Sequence, residues 1–185
     1  MKKRIFDIVF SLVFIVLCLP LMFLIAFCIL IFYGRPIIFK QERVGIHEQT
    51  FIIYKFRTMI NGSGNKAVKT KTDPRVTKLG YWLRHYKLDE LPQFFNVLKG
   101  NMGLVGPRPH TIITNKKFKK ELPDYLIHYR ALPGITGLSQ IHIDSFDYDG
   151  WGEKAIKYDL EYINQMSIWL DIKIILRTIL FIVTK

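Results

Sequence analysis

Two adjacent acidic residues, Asp89 and Glu90, are the strongest candidates for chemistry in this sequence. They lie at the expected start of a helix, where free amide donors and the helix dipole favour anions. An N-terminal helix cap without chemistry would have the same pattern. Basic residues elsewhere favour a reactive site, because arginine can hold a diphosphate while carboxylate holds a divalent metal. These basic residues are Arg43, Lys55, Arg57 and Arg84.

A second candidate is the loop Gly106-Pro107-Arg108-Pro109. Two prolines fix φ and restrict the backbone, so the loop can hold Arg108 ready for a ligand. The planar guanidinium binds a phosphate through two parallel hydrogen bonds, which a lysine cannot do. Taken alone, the same residues could form a structural turn.

The composition indicates an anionic partner. The chain has 185 residues, enough for one domain with a short attachment. It carries 27 Lys and Arg against 15 Asp and Glu, a net charge of +12, which suits nucleic acid, anionic lipid or a phosphorylated substrate. An apolar N-terminal segment and the lack of an RNA-binding aromatic motif favour lipid and phosphate, so no nucleic acid is expected. The cysteines, Cys18 and Cys28, both lie in that segment and predict neither a disulfide framework nor a thiolate metal site.

Residues 8–33 contain no charged side chain and are long enough to cross a bilayer. Basic residues flank both ends, at 2–4 and from Arg35 onward, and the positive-inside rule places both flanks in the cytoplasm. A helix that enters the membrane, breaks at Pro20 and returns satisfies this rule, whereas a single span does not. A kinked span and a cleaved signal peptide are the alternatives, although the stretch is long for a signal and lacks a small-residue cleavage site.

We expect specific partners for two polar residues in or next to this segment. Ser11 is a candidate hydrogen-bond partner for the backbone freed at the break, because lipid offers none. Asp7 lies at the membrane boundary, where ionisable groups are usually paired, and we expect it to pair with Arg4 or with a basic residue of the soluble part.

The remaining sequence, residues 35–185, predicts one helix-rich α+β catalytic domain, with residues 1–34 as its membrane helix. Strands are expected over 37–41 and 50–55. Helices are expected over 77–86, 91–98, 118–130 (interrupted by Pro123), 154–165 and 168–183. Segments 100–109 and 133–137 are expected to be irregular loops. The last helix suits either an amphipathic helix at the membrane interface or a buried core helix.

The sequence resembles the monotopic phosphoglycosyl transferases, a family of small bacterial sugar transferases, in its minimal form. The resemblance covers nearly the whole chain, and the motifs occur in the family's order. They are Lys3-Arg4-Ile5-Phe6-Asp7, Phe39-Lys40-Gln41-Glu42-Arg43-Val44-Gly45, Tyr54-Lys55-Phe56-Arg57-Thr58-Met59, Leu83-Arg84 with Leu88-Asp89-Glu90-Leu91-Pro92-Gln93, Asn96-Val97-Leu98-Lys99-Gly100, Gly106-Pro107-Arg108-Pro109, Pro133-Gly134-Ile135-Thr136-Gly137 and Asp159-Leu160-Glu161-Tyr162.

The resemblance implies a two-step reaction and a Mg²⁺ cofactor held by Asp89. Asp89, beside Glu90, attacks the β-phosphate of a UDP-sugar and expels UMP; polyprenol (undecaprenyl) phosphate then takes the phosphosugar. The membrane helix is implied to be re-entrant and broken at Pro20. The residues expected to bind substrate are Arg43, Lys55, Arg57, Arg84, Pro107, Arg108 and Asp159.

Such an enzyme would lie on the cytoplasmic face of the bacterial inner membrane, in contact with lipid, and begin the assembly of a glycoconjugate such as a capsule, an exopolysaccharide, an O-antigen or a protein glycan. The rivals are a non-catalytic adaptor that binds anionic lipid and a transferase that moves sugar without phosphate. The sequence departs from the family at Leu19, where serine is usual, and at Ile143-Asp144-Ser145, where Gly-Arg-Asn is frequent. The second departure leaves the identity of the sugar open.

Overall fold

The computed structural model describes residues 2–62, 73–143 and 151–184, so Asp144 and Ser145 lie outside the described residues. The predicted helix-rich α+β class is confirmed. Short 3-10 segments cover Ile46–Glu48, Leu88–Glu90 and Pro123–Arg130. The helices are α1 Lys2–Tyr33, α2 Lys78–His85, α3 Gln93–Lys99, α4 Ile112–Glu121, α5 Leu138–His142, α6 Trp151–Gln165 and α7 Ile168–Val183; the strands are β1 Ile38–Val44, β2 Thr50–Phe56, β3 Gly103–Val105 and β4 Gly134–Thr136.

Helix α1 has 32 residues and is long and apolar enough to cross a membrane. It is assigned as one continuous helix through Pro20, so a re-entrant course requires a bend within the helix rather than an interruption of it. Proline at this position leaves the carbonyl of Val16 without its usual amide donor. The expectation for Ser11 is wrong: its hydroxyl is fully buried and has no hydrogen-bond partner among the described residues.

Both ends of α1 are attached to the rest of the protein. Near its start, Arg4 donates hydrogen bonds of 2.7 and 3.1 Å to the last carbonyls of α3, where a cation is favoured by the helix dipole. At its other end, the carbonyls of Tyr33 and Gly34 accept hydrogen bonds of 2.6 and 2.8 Å from Arg57, which follows β2. Both ends of α1 therefore contact the part of the chain that follows it.

A buried polar network joins the start of α1 to α7. Asp7 lies 3.8 Å from Lys3, one turn earlier, and accepts a 3.3 Å hydrogen bond from a backbone amide of β3. Its ionic partner is therefore Lys3, not Arg4 or a residue of the soluble part as expected. Lys3 also contacts Asp171 of α7, which accepts a 2.7 Å hydrogen bond from the hydroxyl of Tyr162. This network fixes α1 against α6 and α7.

Strands β1 and β2 correspond to the two predicted strands and pair as an antiparallel hairpin, with Lys40 opposite Tyr54 and Phe39 opposite Lys55. Strands β3 and β4 are parallel and fall in segments that were expected to be loops. Such short strands leave almost no alternating pattern to read. A Cβ on Gly106 would lie 2.1 Å from the carbonyl oxygen of Leu132, so this close approach requires glycine.

The helices after α3 differ in part from expectation. The segment predicted to be helical over 118–130 with an interruption at Pro123 is confirmed in part: α4 ends at Glu121, and the residues from Pro123 to Arg130 form a 3-10 helix rather than an α-helix. Helix α7 matches its predicted range, but the expectation of a buried core helix fails for most of its length. Trp169, Leu176 and Leu180 are 67%, 61% and 63% exposed, and an exposed apolar face of this kind suits a helix at a membrane surface.

Candidate active site

The acidic pair lies in the 3-10 turn Leu88–Glu90, just before α3 rather than inside its first turn. Pro92 accordingly precedes the helix. The turn begins at Lys87, which adopts a left-handed backbone with φ of 57°. That conformation is unfavourable for a residue with a side chain and tends to occur at functional sites. The turn holds Asp89 and Glu90 against the end of β2.

Glu90 is held by Lys55 of β2, with 2.5 Å between Nζ and Oε1. The two side chains are only 17% and 12% exposed. Burial alone raises the pKa of Glu90, but the charges of Lys55, Lys87 and Arg108 and the hydrogen bond from Lys55 outweigh burial and lower it. Glu90 is therefore a stably ionised carboxylate.

Asp89 has the opposite environment. Its side chain is buried, and among the described residues it accepts no hydrogen bond and forms no ion pair. Burial raises the pKa of Asp89 to about 6; repulsion from Glu90 acts in the same direction, and the charges of Lys55, Lys87 and Arg84 oppose it. Above that pH Asp89 is an ionised carboxylate without a bonded partner, which is the state that a nucleophile requires.

A cleft beside the acidic pair is lined by several positively charged side chains. Arg43, Lys55 and Arg108 line it together with Glu90. Burial, together with the nearby charge of Arg108, lowers the pKa of Arg43 to about 10. The Nε of Arg43 is buried without a partner among the described residues. Two neighbouring guanidinium groups repel each other until an anion binds between them, so this cleft suits a phosphate or diphosphate.

Three buried side chains form a chain of contacts that supports the backbone of Arg108. Its carbonyl lies 3.1 Å from Nε2 of His128, and the other ring nitrogen of His128 lies 3.2 Å from Oδ2 of Asp159. The second oxygen of Asp159 accepts a 2.8 Å hydrogen bond from the hydroxyl of Ser139. Asp159 thus contacts His128, which supports the backbone of Arg108, and does not line the cleft. Neither His128 nor Ser139 was singled out from the sequence, because no local motif links them to Arg108.

The other residues that were expected to bind substrate do not line this cleft. Arg84 acts electrostatically on Asp89 and donates a 2.7 Å hydrogen bond to the hydroxyl of Thr58, so it flanks the acidic pair. Arg57 is not brought to the cleft, since its guanidinium binds the end of α1. Pro107 is fully buried, and its carbonyl accepts a 2.9 Å hydrogen bond from the amide of Gly134. Its visible role is to fix the loop that presents Arg108.

The described residues contain no group of three or more histidine, cysteine or acidic side chains that could enclose a metal ion. Mg²⁺ commonly binds one or two carboxylates and completes its coordination with water and substrate phosphate. Asp89, with no bonded partner of its own and an adjacent cationic cleft for phosphate, fits that mode of binding.

The chain is similar to known proteins over nearly its whole length. The profile of the family "Bacterial sugar transferase" matches residues 1–185. The chain is 39% identical over 188 residues to the UDP-glucose:undecaprenyl-phosphate glucose-1-phosphate transferase of Escherichia coli K12, covering 96% of this chain and 39% of that protein. A Caulobacter vibrioides protein of the same name is 37% identical, with 97% and 68% covered.

A third relative, from Aeromonas hydrophila, is named UDP-N-acetylgalactosamine-undecaprenyl-phosphate N-acetylgalactosaminephosphotransferase and is 40% identical over 185 residues, with 98% of this chain and 44% of that protein covered. This chain therefore spans less than half of the length of several relatives. With a match that extends over every residue, the protein belongs to the bacterial sugar transferase family.

Proposed function

We propose that this protein transfers a sugar phosphate from a UDP-sugar to a polyprenol phosphate such as undecaprenyl phosphate, with release of UMP. The observation that carries the proposal is a buried Asp89 that has no hydrogen-bond or ion-pair partner among the described residues, next to Glu90 in the wall of a cleft that contains Arg43, Lys55 and Arg108. The relatives' names support it, since each combines a UDP-sugar with undecaprenyl phosphate. Those names differ in the sugar, so the proposal leaves the sugar unassigned.

In the first step, a carboxylate oxygen of Asp89 attacks the β-phosphorus of the UDP-sugar. The bond between that phosphorus and the bridging oxygen breaks, UMP leaves with the bridging oxygen, and the sugar phosphate is bound to Asp89. The carboxylate is already ionised at neutral pH, so the step needs no general base. Arg43, Lys55 and Arg108 neutralise charge that develops on the phosphoryl oxygens. When bound at Asp89, Mg²⁺ would supply further positive charge to the diphosphate.

In the second step, a phosphate oxygen of the polyprenol phosphate attacks the same phosphorus and releases Asp89 as a carboxylate. The product is a polyprenol diphosphosugar. Glu90 is a poor proton acceptor because its pKa is lowered. Its role in this scheme is to hold Lys55 in the cleft and to keep the site electrically balanced, rather than to take a proton from the acceptor.

The membrane arrangement that fits this scheme is re-entrant, with both ends of α1 and the catalytic domain, residues 35–185, on the cytoplasmic face of the inner membrane. The support is that Arg4, near the start of α1, donates a hydrogen bond to the last turn of α3, while Arg57 donates one to the carbonyl of Tyr33 at the other end of α1. One domain cannot hold both ends of a helix that crosses the bilayer. Cysteine replacements at Lys2 and Arg35, made without the native cysteines, should be labelled from the same side of intact vesicles. Labelling from opposite sides would exclude the re-entrant course.

The released nucleotide tests the reaction itself. Purified protein, a panel of UDP-sugars and polyprenol phosphate should release UMP, lose activity with a metal chelator and regain it with Mg²⁺. Release of UDP would show that the sugar moves without its phosphate. Release of no nucleotide with any donor, from protein that remains folded, would favour an anionic-lipid adaptor. Full turnover in excess chelator would remove the metal from the scheme.

A further inference from the structure

A second concave surface lies between the membrane helix and the catalytic domain. It is an apolar groove of about 480 Å³, within the range of ordinary small-molecule sites. Its lining is contributed by α1, the β1–β2 hairpin and α3, and it includes Leu19, Met22, Phe23, Ala26, Phe56 and Phe95. Because four of these residues come from the apolar stretch of α1, the groove adjoins lipid wherever α1 is embedded.

Two cations meet at this groove. Lys99 donates a 2.9 Å hydrogen bond to the hydroxyl of Tyr54 and lies 4.6 Å from the centre of its ring. Lys40 is paired directly with Tyr54 across the hairpin. The hydrogen bond from Lys99, followed by the charges of Lys99 and Lys40, lowers the pKa of Tyr54. Neither lysine forms an ion pair with a carboxylate in the part of the chain that the structure describes. Both side chains are exposed and available to an anion.

The groove is separate from the catalytic cleft. Neighbouring residues of a strand point to opposite faces, so Lys55 reaches Glu90 in the cleft while Tyr54 lines the groove. Lys99 lies at the far end of α3 from Gln93, which lines the cleft. A helix of this length separates its ends by about 10 Å. An anion held by Lys40 and Lys99 therefore lies away from Asp89 and is not the reacting phosphate.

We propose that this groove binds one anionic phospholipid of the surrounding membrane. An acyl chain occupies the apolar surface between α1 and the hairpin, and the lipid phosphate binds Lys40 and Lys99. The aliphatic parts of the two lysines extend the apolar wall while their ammonium groups reach the headgroup. Tyr54 fixes the position of Lys99. The bound lipid fills the space that the domain leaves beside α1.

Photocrosslinking of a lipid tests this site independently of catalysis. The full chain is placed in phosphatidylcholine nanodiscs that contain phosphatidylglycerol with a diazirine on its acyl chain, and crosslinked peptides are mapped. We expect labelling on the peptide that contains Phe23, competed by unlabelled phosphatidylglycerol. The double variant Lys40→Gln/Lys99→Gln should reduce it about tenfold or more. Lys116→Gln/Lys120→Gln, which removes the same charge from exposed positions of α4, should not.

Three results would overturn the proposal. Labelling that is unchanged in Lys40→Gln/Lys99→Gln would show that these lysines do not bind the headgroup. Labelling displaced by polyprenol phosphate but not by phosphatidylglycerol would assign the groove to the acceptor. The variant Lys40→Arg/Lys99→Arg checks for a folding defect: it keeps both charges and should keep the labelling, whereas its loss would contradict recognition by charge.

Discussion

The ion pair between Lys55 and Glu90 should contribute measurably to stability, because it joins β2 to the turn that carries the acidic pair. Removal of one partner from a buried pair costs about 3–5 kcal/mol, since the other charge is left without compensation. The side chains are 17% and 12% exposed, so water can partly solvate the remaining charge. We therefore expect Lys55→Met and Glu90→Gln each to cost about 2–3 kcal/mol.

A double-mutant cycle measures the interaction itself. For a chain of this size, such losses lower the melting temperature by about 4–12 °C. The double variant Lys55→Met/Glu90→Gln leaves neither charge and should be less destabilised than the sum of the single variants, with a coupling of about 2 kcal/mol. The assay is thermal unfolding of the detergent-solubilised protein at a fixed scan rate.

The pair formed by Lys119 and Glu48 provides a matched control. Its atoms lie 2.8 Å apart, but both side chains are 46% exposed. Exposed pairs are screened by water and salt, so the same cycle with Lys119→Met and Glu48→Gln should give no coupling above error. Additive losses at Lys55 and Glu90, or an equal coupling in both pairs, would refute the argument from burial.

The remaining predictions concern positioning, pH and the membrane helix. Asp159→Asn removes the charge that holds the support of Arg108 and should lower kcat/KM for the UDP-sugar by about 10- to 100-fold, whereas Glu153→Gln on the same helix should not change it; equal kinetics for the two variants would contradict the positioning role. Burial first, then the charges of His128, Arg108 and Arg43, lowers the pKa of His110 well below its ordinary value. Below about pH 6.5 the unfolded chain therefore binds a proton that the folded protein does not, and stability should fall by up to about 1.4 kcal/mol per pH unit as the pH decreases. His110→Phe should flatten this dependence in unfolding measurements, and an unchanged slope would exclude His110 as its source. Arg57→Gln should lower the melting temperature without changing KM for the UDP-sugar, because Arg57 binds the end of α1; a raised KM at an unchanged melting temperature would return it to the substrate site.

Local sequence patterns were sufficient to predict the main elements of this protein. The apolar run predicted α1, the β-branched stretch before Lys55 predicted β2, and the helix predicted over 91–98 corresponds to α3. Each of these signals depends on residues within a few positions of one another. Strands β3 and β4 escaped prediction because three-residue strands that contain glycine resemble loops.

Contacts between residues far apart in the chain decide which of the expected site residues reach the cleft, and local sequence patterns do not show these contacts. Arg57 has the same local context as Lys55, yet its guanidinium binds carbonyls at the end of α1, more than twenty residues earlier in the chain. Asp159 matches a family motif but lies behind Arg108, at the far side of His128. Several cationic side chains could in principle line a cleft. Strand alternation and the packing of distant elements decide which of them do, and neither can be inferred from composition.

The direct test of the proposed chemistry is a mass measurement of the protein mixed with a UDP-sugar and Mg²⁺ in the absence of a lipid acceptor. A sugar-phosphate adduct should appear on the peptide that contains Asp89, with UMP released in equal amount. Asp89→Asn keeps the shape of the side chain but removes its charge, so this variant should remain folded and form no adduct. An adduct on another residue, or substantial turnover by Asp89→Asn, would contradict the assignment of Asp89 as the nucleophile.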